Sequence, residues 1–497
     1  MTMLTLAEAA GLIPGATACG DAAATFARIC TDSRMAGPGD LFVALKGERF
    51  DAHDFLPDVA KRGVSAVLAA HVPPGWNLPA LIVADTRAAL GALASGWRRR
   101  FAIPLVAVTG SNGKTTVKEM IASIFAAACG ANARLATLGN LNNEIGLPIT
   151  LLRLNAAHKL AVVELGINHP GETDTLAKLA EPTIALVNNA QREHQEFMET
   201  VEAVALEHAS VIHALGPDGV AVFPADDPYA GIWRVAATGN RIIDFALLPE
   251  AALAATAGAA EQQVAAVVGE FARNRLRVNT PAGEFEATLQ VLGAHNARNA
   301  LAATAAALAA GVSLDAIRRG LEAFSPVKGR LQAKRAEIGS LAGATVIDDS
   351  YNANPDSMRA AIDVLAAQPT PRVLVMGDMG EVGDHGPAFH REIGAYARER
   401  GIDALYGLGD ATRDACAAFV AAPQAAAAAM TVAGAAAVAQ AHHFDDVVAL
   451  IDALLQAQFG ASATVLVKGS RFMRMERVVD ALTQLQPHAS GTAPGVH

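Results

Sequence analysis

The apolar run Ile103-Pro104-Leu105-Val106-Ala107-Val108 feeds directly into Thr109-Gly110-Ser111-Asn112-Gly113-Lys114-Thr115-Thr116. Behind it, Val117, Met120, Ile121, Ile124, Phe125 and Ala128 fall on one face of a helix. A strand, a glycine-rich turn and a helix, with a lysine and two threonines at the junction, predict a phosphate-binding loop. Gly110 and Gly113 let backbone N–H groups turn toward a polyphosphate, and the helix N-terminus adds its positive dipole. Ser111, Asn112 and Thr116 complete the loop. Lys114, read here as a residue of an exposed loop, is placed to reach the β- and γ-phosphates, and the Thr115 hydroxyl to ligate Mg²⁺. Gly110 lies three residues before Gly113 rather than five, a departure from the common G-x-x-x-x-G-K-[ST] spacing. An ordinary glycine-rich turn is the competing reading, and Lys-Thr-Thr at the helix start weighs against it. A nucleoside triphosphate is the expected ligand.

The 497 residues are too many for one core, so about two to four domains are expected. A net charge of −10 argues against a nucleic-acid or anionic-membrane partner, though a local basic pocket still suits an anionic substrate. Cys19, Cys30, Cys129 and Cys416 form no C-x-x-C pair, so neither a disulfide framework nor a zinc site is indicated. The N-terminus lacks a basic region followed by a sustained apolar one. The apolar stretch 417–440 is dominated by alanine and interrupted by Pro423 and Gln424, so no membrane insertion is expected. A reducing, cytoplasmic setting follows as the expectation.

Three units are predicted, α/β throughout. Residues 1–100 form a smaller N-terminal α/β domain, with strand-like runs at 41–45, 66–68 and 81–83. The basic stretch Arg98-Arg99-Arg100 suits a boundary. In 101–323, apolar runs at 103–108, 160–163, 184–187 and 220–223 alternate with helical patterns. That alternation predicts a central parallel sheet with helices on both faces. Ser325-Pro326-Val327-Lys328-Gly329-Arg330 is a turn-rich joint suited to a hinge. Residues 324–497 restart the rhythm at 345–347, 372–376 and 464–467 as a C-terminal Rossmann-like domain. The alanine-rich stretch Ala251 to Ala266 reads as a helix or insertion, and the tail from Pro487 to His497 as disordered.

Polar groups recur where strands are predicted to end, the edge at which open α/β sheets bind ligands. Glu164 follows the run 160–163, and Asn188, Asn189 and His194 follow the next. Glu164 fits a Mg²⁺ ligand, or else a helix cap or salt bridge. His194 alone fits equally a hydrogen-bonded structural histidine. In His295-Asn296-Ala297-Arg298-Asn299 the amides suit an adenine edge or a helix cap. Asp348 to Pro355 is a further strand-end segment, or a plain Asx-rich loop.

Taken in order, these segments resemble the Mur ligase family. The resemblance is carried by Thr109 to Thr116, Gly139-Asn140-Leu141-Asn142-Asn143-Glu144-Ile145-Gly146, Glu164-Leu165-Gly166, His295-Asn296-x-x-Asn299, Gly329-Arg330 and Asp349 to Pro355. It extends from Thr31-Asp32-Ser33-Arg34 to Lys468-Gly469-Ser470-Arg471. The stretches Asn140 to Pro148, Asp349 to Pro355 and Met376 to Glu381 are most like the branch that adds D-alanyl-D-alanine to UDP-N-acetylmuramoyl-tripeptide. That resemblance implies a cytoplasmic, ATP- and Mg²⁺-dependent ligase of peptidoglycan precursor synthesis. It implies attack of a substrate carboxylate on the γ-phosphate, an acyl phosphate, and capture by the dipeptide amine. Lys114, Glu164 and His194 would be catalytic, and Thr115, Glu164 and His194 would hold the metal. Asn296 and Asn299 would face the adenine, with Arg330, Asp349, Tyr351 and Asn352 closing on the nucleotide as the C-terminal unit moves. Ser33, Arg34 and Lys46 would hold the uridine diphosphate end, and Asn142 and Asn143 the muramyl peptide. A monomer is the expectation.

One departure stands out. Many Mur ligases carry a carbamylated lysine shortly after the histidine equivalent to His194, whereas Glu202 to Ser210 contains no lysine. Glu207 or His208 substitutes, or the second metal depends on His194 and phosphate. A folylpolyglutamate synthase, a sister Mur ligase adding a diamino acid, and a non-catalytic nucleotide-binding regulator are the alternatives. Folylpolyglutamate synthases begin close to their phosphate loop, while here residues 1–108 precede it. A mere regulator would not need polar groups at so many strand ends.

Overall fold

The computed structural model describes residues 2–248, 265–423 and 440–484. The tail from 487, most of the alanine-rich stretch at 251–266 and residues 424–439 lie outside these. Three α/β layers follow one another along the chain, and α/β is the class expected.

The N-terminal sheet runs in the order Thr17–Cys19, Ala80–Ile82, Ala66–Ala69, Asp40–Val43, Arg28–Cys30, with the first pair antiparallel and the others parallel. Helix Thr86–Arg98, capped by Asp85, buries Leu90, Leu93, Ala94 and Trp97 in a core shared with the central sheet. The basic stretch at 98–100 is therefore no free linker. Arg98 is buried and donates to the carbonyls of Phe101, Ile103 and Glu181, while Arg99 donates to the Glu181 carboxylate.

The central sheet is wholly parallel, in the order Arg241–Ile242, Val220–Val222, Ile184–Val187, Leu105–Thr109, Leu160–Glu164, Arg134–Ala136. Every residue of Leu105–Thr109 is buried, because helices cover both faces. Its neighbours on either side come later in the sequence, so strand order reverses there and a crevice opens at the carboxyl edge. Helix Lys114–Cys129 buries Val117, Met120, Ile121, Ile124 and Phe125 as expected, but Ala128 is exposed in the last turn. A second sheet, Phe245–Leu247, Val267–Ala272, Arg275–Thr280 and Gly283–Thr288, packs on helix Ala294–Ala309 and was not foreseen. Strand Arg275–Thr280 alternates exposed and buried residues strictly, but its neighbours Val267–Ala272 and Gly283–Thr288 do so only weakly.

The C-terminal sheet is ordered Gln332–Arg335, Thr345–Asp349, Thr464–Lys468, Arg372–Gly377, Ala404–Leu408, Gln440–Phe444. Only its first pair is antiparallel. The three strands read from sequence are its centre, where both faces are covered by separate apolar cores. Helix Pro355–Ala366 starts on a capping box between Asn354 and Ser357, with proline in the first turn where no N–H is needed. That fixes Ser350 to Asn354 as the turn between strand and helix, facing the central sheet.

Candidate functional site

Gly113 caps helix Lys114–Cys129 at φ 83°, and no side chain covers its first-turn amides. A Cβ on Gly113 would lie 2.5 Å from Asn299 Oδ1, and one on Gly110, at φ 132°, 3.0 Å from the backbone of Asn188 and Asn189. Glycine is needed at both places for space as well as dihedral. The loop is moulded by the neighbouring strand end. Asn189 exchanges bonds with the Asn112 backbone (Asn112 N to Oδ1, 2.9 Å; Nδ2 to Asn112 O, 3.0 Å). Asn188 Nδ2 reaches Asn112 O at 2.7 Å and Asn299 Oδ1 at 2.9 Å. Ser111 Oγ accepts from Gln191 N at 2.9 Å.

Lys114 differs from expectation. It is the first helical residue rather than part of an exposed loop, and its side chain is only 13% exposed. Its ammonium donates to Gly110 O (2.6 Å), Ser111 O (3.2 Å) and Glu193 Oε1 (2.6 Å). Sequence reasoning passed over Glu193. The signal that singled out His194, a polar residue in the loop after a buried strand, applied to its neighbour equally.

Glu164, buried at its strand end, is neither helix cap nor salt bridge. Its Oε1 accepts from Thr115 Oγ1 at 3.2 Å and Asn142 Nδ2 at 2.9 Å, while Oε2 is buried without a partner. That donor set, a hydroxyl beside a free carboxylate oxygen, fits a hard divalent cation. His194 sits between two carboxylates: Nδ1 is 2.7 Å from Glu381 Oε2, and Nε2 is 3.6 Å from Glu193 Oε1. The contact holds the Glu381 carboxyl below its ordinary range.

The two candidates for the missing lysine separate cleanly. Glu207 accepts from Gly171 N and Thr173 N, both at 2.8 Å, so it caps helix Glu172–Ala180 and is spent there. His208 is fully buried behind the 109–116 loop, with Nδ1 3.0 Å from Thr109 Oγ1 and Nε2 3.8 Å from Glu193 Oε2. Burial pushes its imidazole well below the ordinary value, and the nearby Lys114 ammonium adds to that.

The far wall comes from the C-terminal unit. Arg330 Nη2 lies 3.4 Å from Thr115 Oγ1, and its guanidinium stacks 4.3 Å over the Tyr351 ring. Asp349 pairs with Lys468 at 2.7 Å and accepts from Leu331 N. Lys468 also donates to the Asn352 carbonyl. Asn112 and Asn354 exchange side-chain amide bonds across the junction. Arg192 clamps the same junction. Its Nη2 is 2.6 Å from Asp356 Oδ1 and its Nη1 2.7 Å from Glu392 Oε2.

These groups line two adjoining cavities. One, of about 610 Å³, holds Ser111, Lys114, Thr115, Asn142, Asn143, Glu164, His194, Arg330, Tyr351 and Asn352 on its walls. The other, of about 320 Å³, is lined by Gly113, Thr116, Asn296, Asn299, Arg330 and Asp349 among others. Asn296 and Asn299 do not cap their helix. They continue a buried amide chain from Asn188 through Asn299 and Asn296 to Leu292 O. Asn143 Oδ1 accepts from Gly146 N at 2.9 Å, at the start of helix Gly146–Leu151. Ser33, Arg34 and Lys46 line neither cavity. Arg34 turns back on Asp32 at 2.7 Å, and Lys46 lies 4.0 Å from Asp51.

Residues 108–307 match the model of the Mur ligase middle domain, and 329–471 that of the Mur ligase glutamate ligase domain. The chain is 40% identical to a UDP-N-acetylmuramoyl-tripeptide–D-alanyl-D-alanine ligase of Escherichia coli, over 93% of this chain and 94% of that protein. It is 37% identical to the ligase of that name from Haemophilus influenzae, over 93% and 95%. Among solved structures, a crystal structure of MurF from Acinetobacter baumannii superposes with a TM-score of 0.79 at 35% identity, covering 92% of this chain and 94% of that one. MurF ligase from Thermotoga maritima, solved in complex with ADP, shares the fold at 23% identity and a TM-score of 0.74, over 92% and 97%.

Proposed function

The chain belongs to the Mur ligase family, and from that membership we propose that it joins D-alanyl-D-alanine to UDP-N-acetylmuramoyl-tripeptide at the expense of ATP. The observation that carries the reading is the convergence of Lys114, Thr115 and Glu164 from the central sheet with Arg330 and Tyr351 from the C-terminal unit on one cavity. The same cavity has room for a triphosphate and a carboxylate side by side.

Such chemistry is positioning and charge neutralisation more than covalent work by the protein. The first-turn amides of helix Lys114–Cys129 and the Lys114 ammonium receive the β- and γ-phosphates. Arg330, aimed by its stacking on Tyr351, adds a second positive charge from the opposite wall. Asn142 holds Glu164 and borders the path of the peptide carboxylate. That carboxylate attacks the γ-phosphorus, ADP leaves, and the dipeptide amine then displaces phosphate from the acyl phosphate. Thr115 and Glu164, with His194 nearby, would hold Mg²⁺, which when bound neutralises charge on the transferring phosphoryl group.

The adjoining smaller cavity suits the base, and the N-terminal sheet the uridine diphosphate end, with Ser33, Arg34 and Lys46 as its contacts. Among the described residues no helix is long and apolar enough to cross a membrane. A cytoplasmic monomer is the proposed working form. Phosphate release tests the whole reading. It should require ATP, UDP-N-acetylmuramoyl-tripeptide and D-alanyl-D-alanine together. Equal release with UDP-muramyl-dipeptide and a free diamino acid would move the chain to the preceding ligase.

A further inference from the structure

Behind the phosphate loop lies a buried polar chain that the ligase reaction does not by itself explain. Thr109, the last residue of the loop strand, meets His208 Nδ1 at 3.0 Å. His208 Nε2 faces Glu193 Oε2 at 3.8 Å, and both atoms are buried without a hydrogen-bond partner. Glu193 Oε1 then takes the Lys114 ammonium at 2.6 Å. A neutral imidazole carries one N–H. Placed on Nε2 it faces the carboxylate, and Nδ1 is left to accept from the Thr109 hydroxyl. At 3.8 Å that N–H faces Glu193 Oε2 without bonding to it, so the carboxylate's hydrogen bond is the one it accepts from the Lys114 ammonium.

Lys114 has three N–H donors, and Gly110 O, Ser111 O and Glu193 use all three. A phosphate oxygen reaches this ammonium only by displacing one of them, and Glu193 is the only one of the three that is charged. We propose that Glu193, ion-paired to Lys114 at 2.6 Å, is a positioning residue for Lys114 that competes with nucleotide phosphate for the ammonium. Nucleotide binding is then an exchange of anions at Lys114. The carboxylate keeps the lysine aimed along the loop and keeps its charge matched, at the cost of opposing any phosphate that arrives without a cation of its own. Enzyme and nucleotide are thereby tuned to the metal complex rather than the bare anion.

This rests on the loop being the ATP site, and the test separates the two. Binding of ADP is measured calorimetrically with chelator and with Mg²⁺, alongside steady-state ligation. Glu193→Gln removes one negative charge a few ångströms from the phosphates. Metal-free ADP should bind about tenfold tighter, while turnover falls about tenfold or more because Lys114 loses its charged anchor. The gain should shrink when Mg²⁺ is present. Glu193→Asp, with the carboxylate withdrawn by one methylene, should fall between wild type and Glu193→Gln in both measures. It carries the test if the glutamine variant does not fold. A purely structural Glu193 would weaken nucleotide binding and turnover together. Metal-free binding no tighter than wild type in either folded variant, or full turnover in Glu193→Gln, overturns the proposal. A wild-type chain that binds no nucleotide overturns the ATP-site reading itself.

Discussion

The carboxyl edges of the central and C-terminal sheets face each other, and both are lined with polar residues, yet they spend them differently. At the central edge Glu164 Oε2, Asn188 Oδ1, Glu193 Oε2 and His208 Nε2 are buried with no partner. At the C-terminal edge the charges answer one another: Asp349 with Lys468 and Asp348 with Lys334, each at 2.7 Å. Buried polar atoms cost free energy unless paired. Glu164 and Asn188, which line the two cavities, therefore hold bonding capacity for a ligand, while the C-terminal edge is a finished wall that presents Arg330 and Tyr351.

The sharpest way to break this contrast is to unfinish the wall. Lys468→Ala leaves the buried Asp349 carboxylate alone, and breaking such a pair costs about 3–5 kcal/mol. Chemical denaturation should show that loss. A variant within about 1 kcal/mol of wild type would mean that Asp349 is wetter than its burial implies. At the central edge the same kind of change should strike activity first. Lys114→Ala should lower ligation on the order of a hundredfold or more, about 2.7 kcal/mol at the transition state. Near-normal turnover in the folded variant would remove this loop as the phosphate site.

Between the two edges stands Arg192, bonded to helices Pro355–Ala366 and Gly386–Glu399 through Asp356 and Glu392. Arg192→Ala should loosen the junction between the two units by about 1.5–3 kcal/mol, the range for hydrogen bonds to charged groups. The radius of gyration by small-angle scattering should rise, with turnover reduced more than ATP affinity. An unchanged radius and turnover would sink the clamp, and with it the idea that the C-terminal unit closes as a body over the joint at 325–330.

The smallest effect is a pH effect. His208 titrates well below its ordinary value in the folded chain because of burial. As pH falls below about 6.5, the unfolded chain takes a proton that the folded chain refuses, so stability drops. Above that pH both forms are neutral and the term vanishes. Melting temperatures from pH 8 to 5 should fall less steeply in His208→Gln than in wild type, and parallel slopes would exclude His208 as the acid-sensitive group.

Much of this was open to reading along the chain. Strand 105–109, the glycines at 110 and 113 and the helix from 114 are contiguous, and their geometry follows from local dihedral and burial preferences. The central strands of each parallel sheet are continuous apolar runs because both their faces are covered. Edge strands such as Gln440–Phe444 carry mixed residues and gave no such signal. Glu193 stands in the same strand-end loop as His194 and was open to the same local signal, but its pairing with Lys114, which turns the lysine inward, was not, because the two lie 79 positions apart.

By itself, then, the sequence determined the strand, glycine turn and helix of residues 105–129, the three-unit α/β fold and the family. Those depend on periodicity and on neighbours a few residues apart. Which side chains complete the site was decided only by tertiary structure. Arg192 meets Asp356 across 164 residues, Arg330 meets Thr115 across 215, and Glu207 is drawn off to cap a helix while its neighbour His208 turns toward the loop. Adjacent residues on a helix point about 100° apart. Only the packing of that helix against the sheet decides which of the two turns toward Thr109 and Glu193.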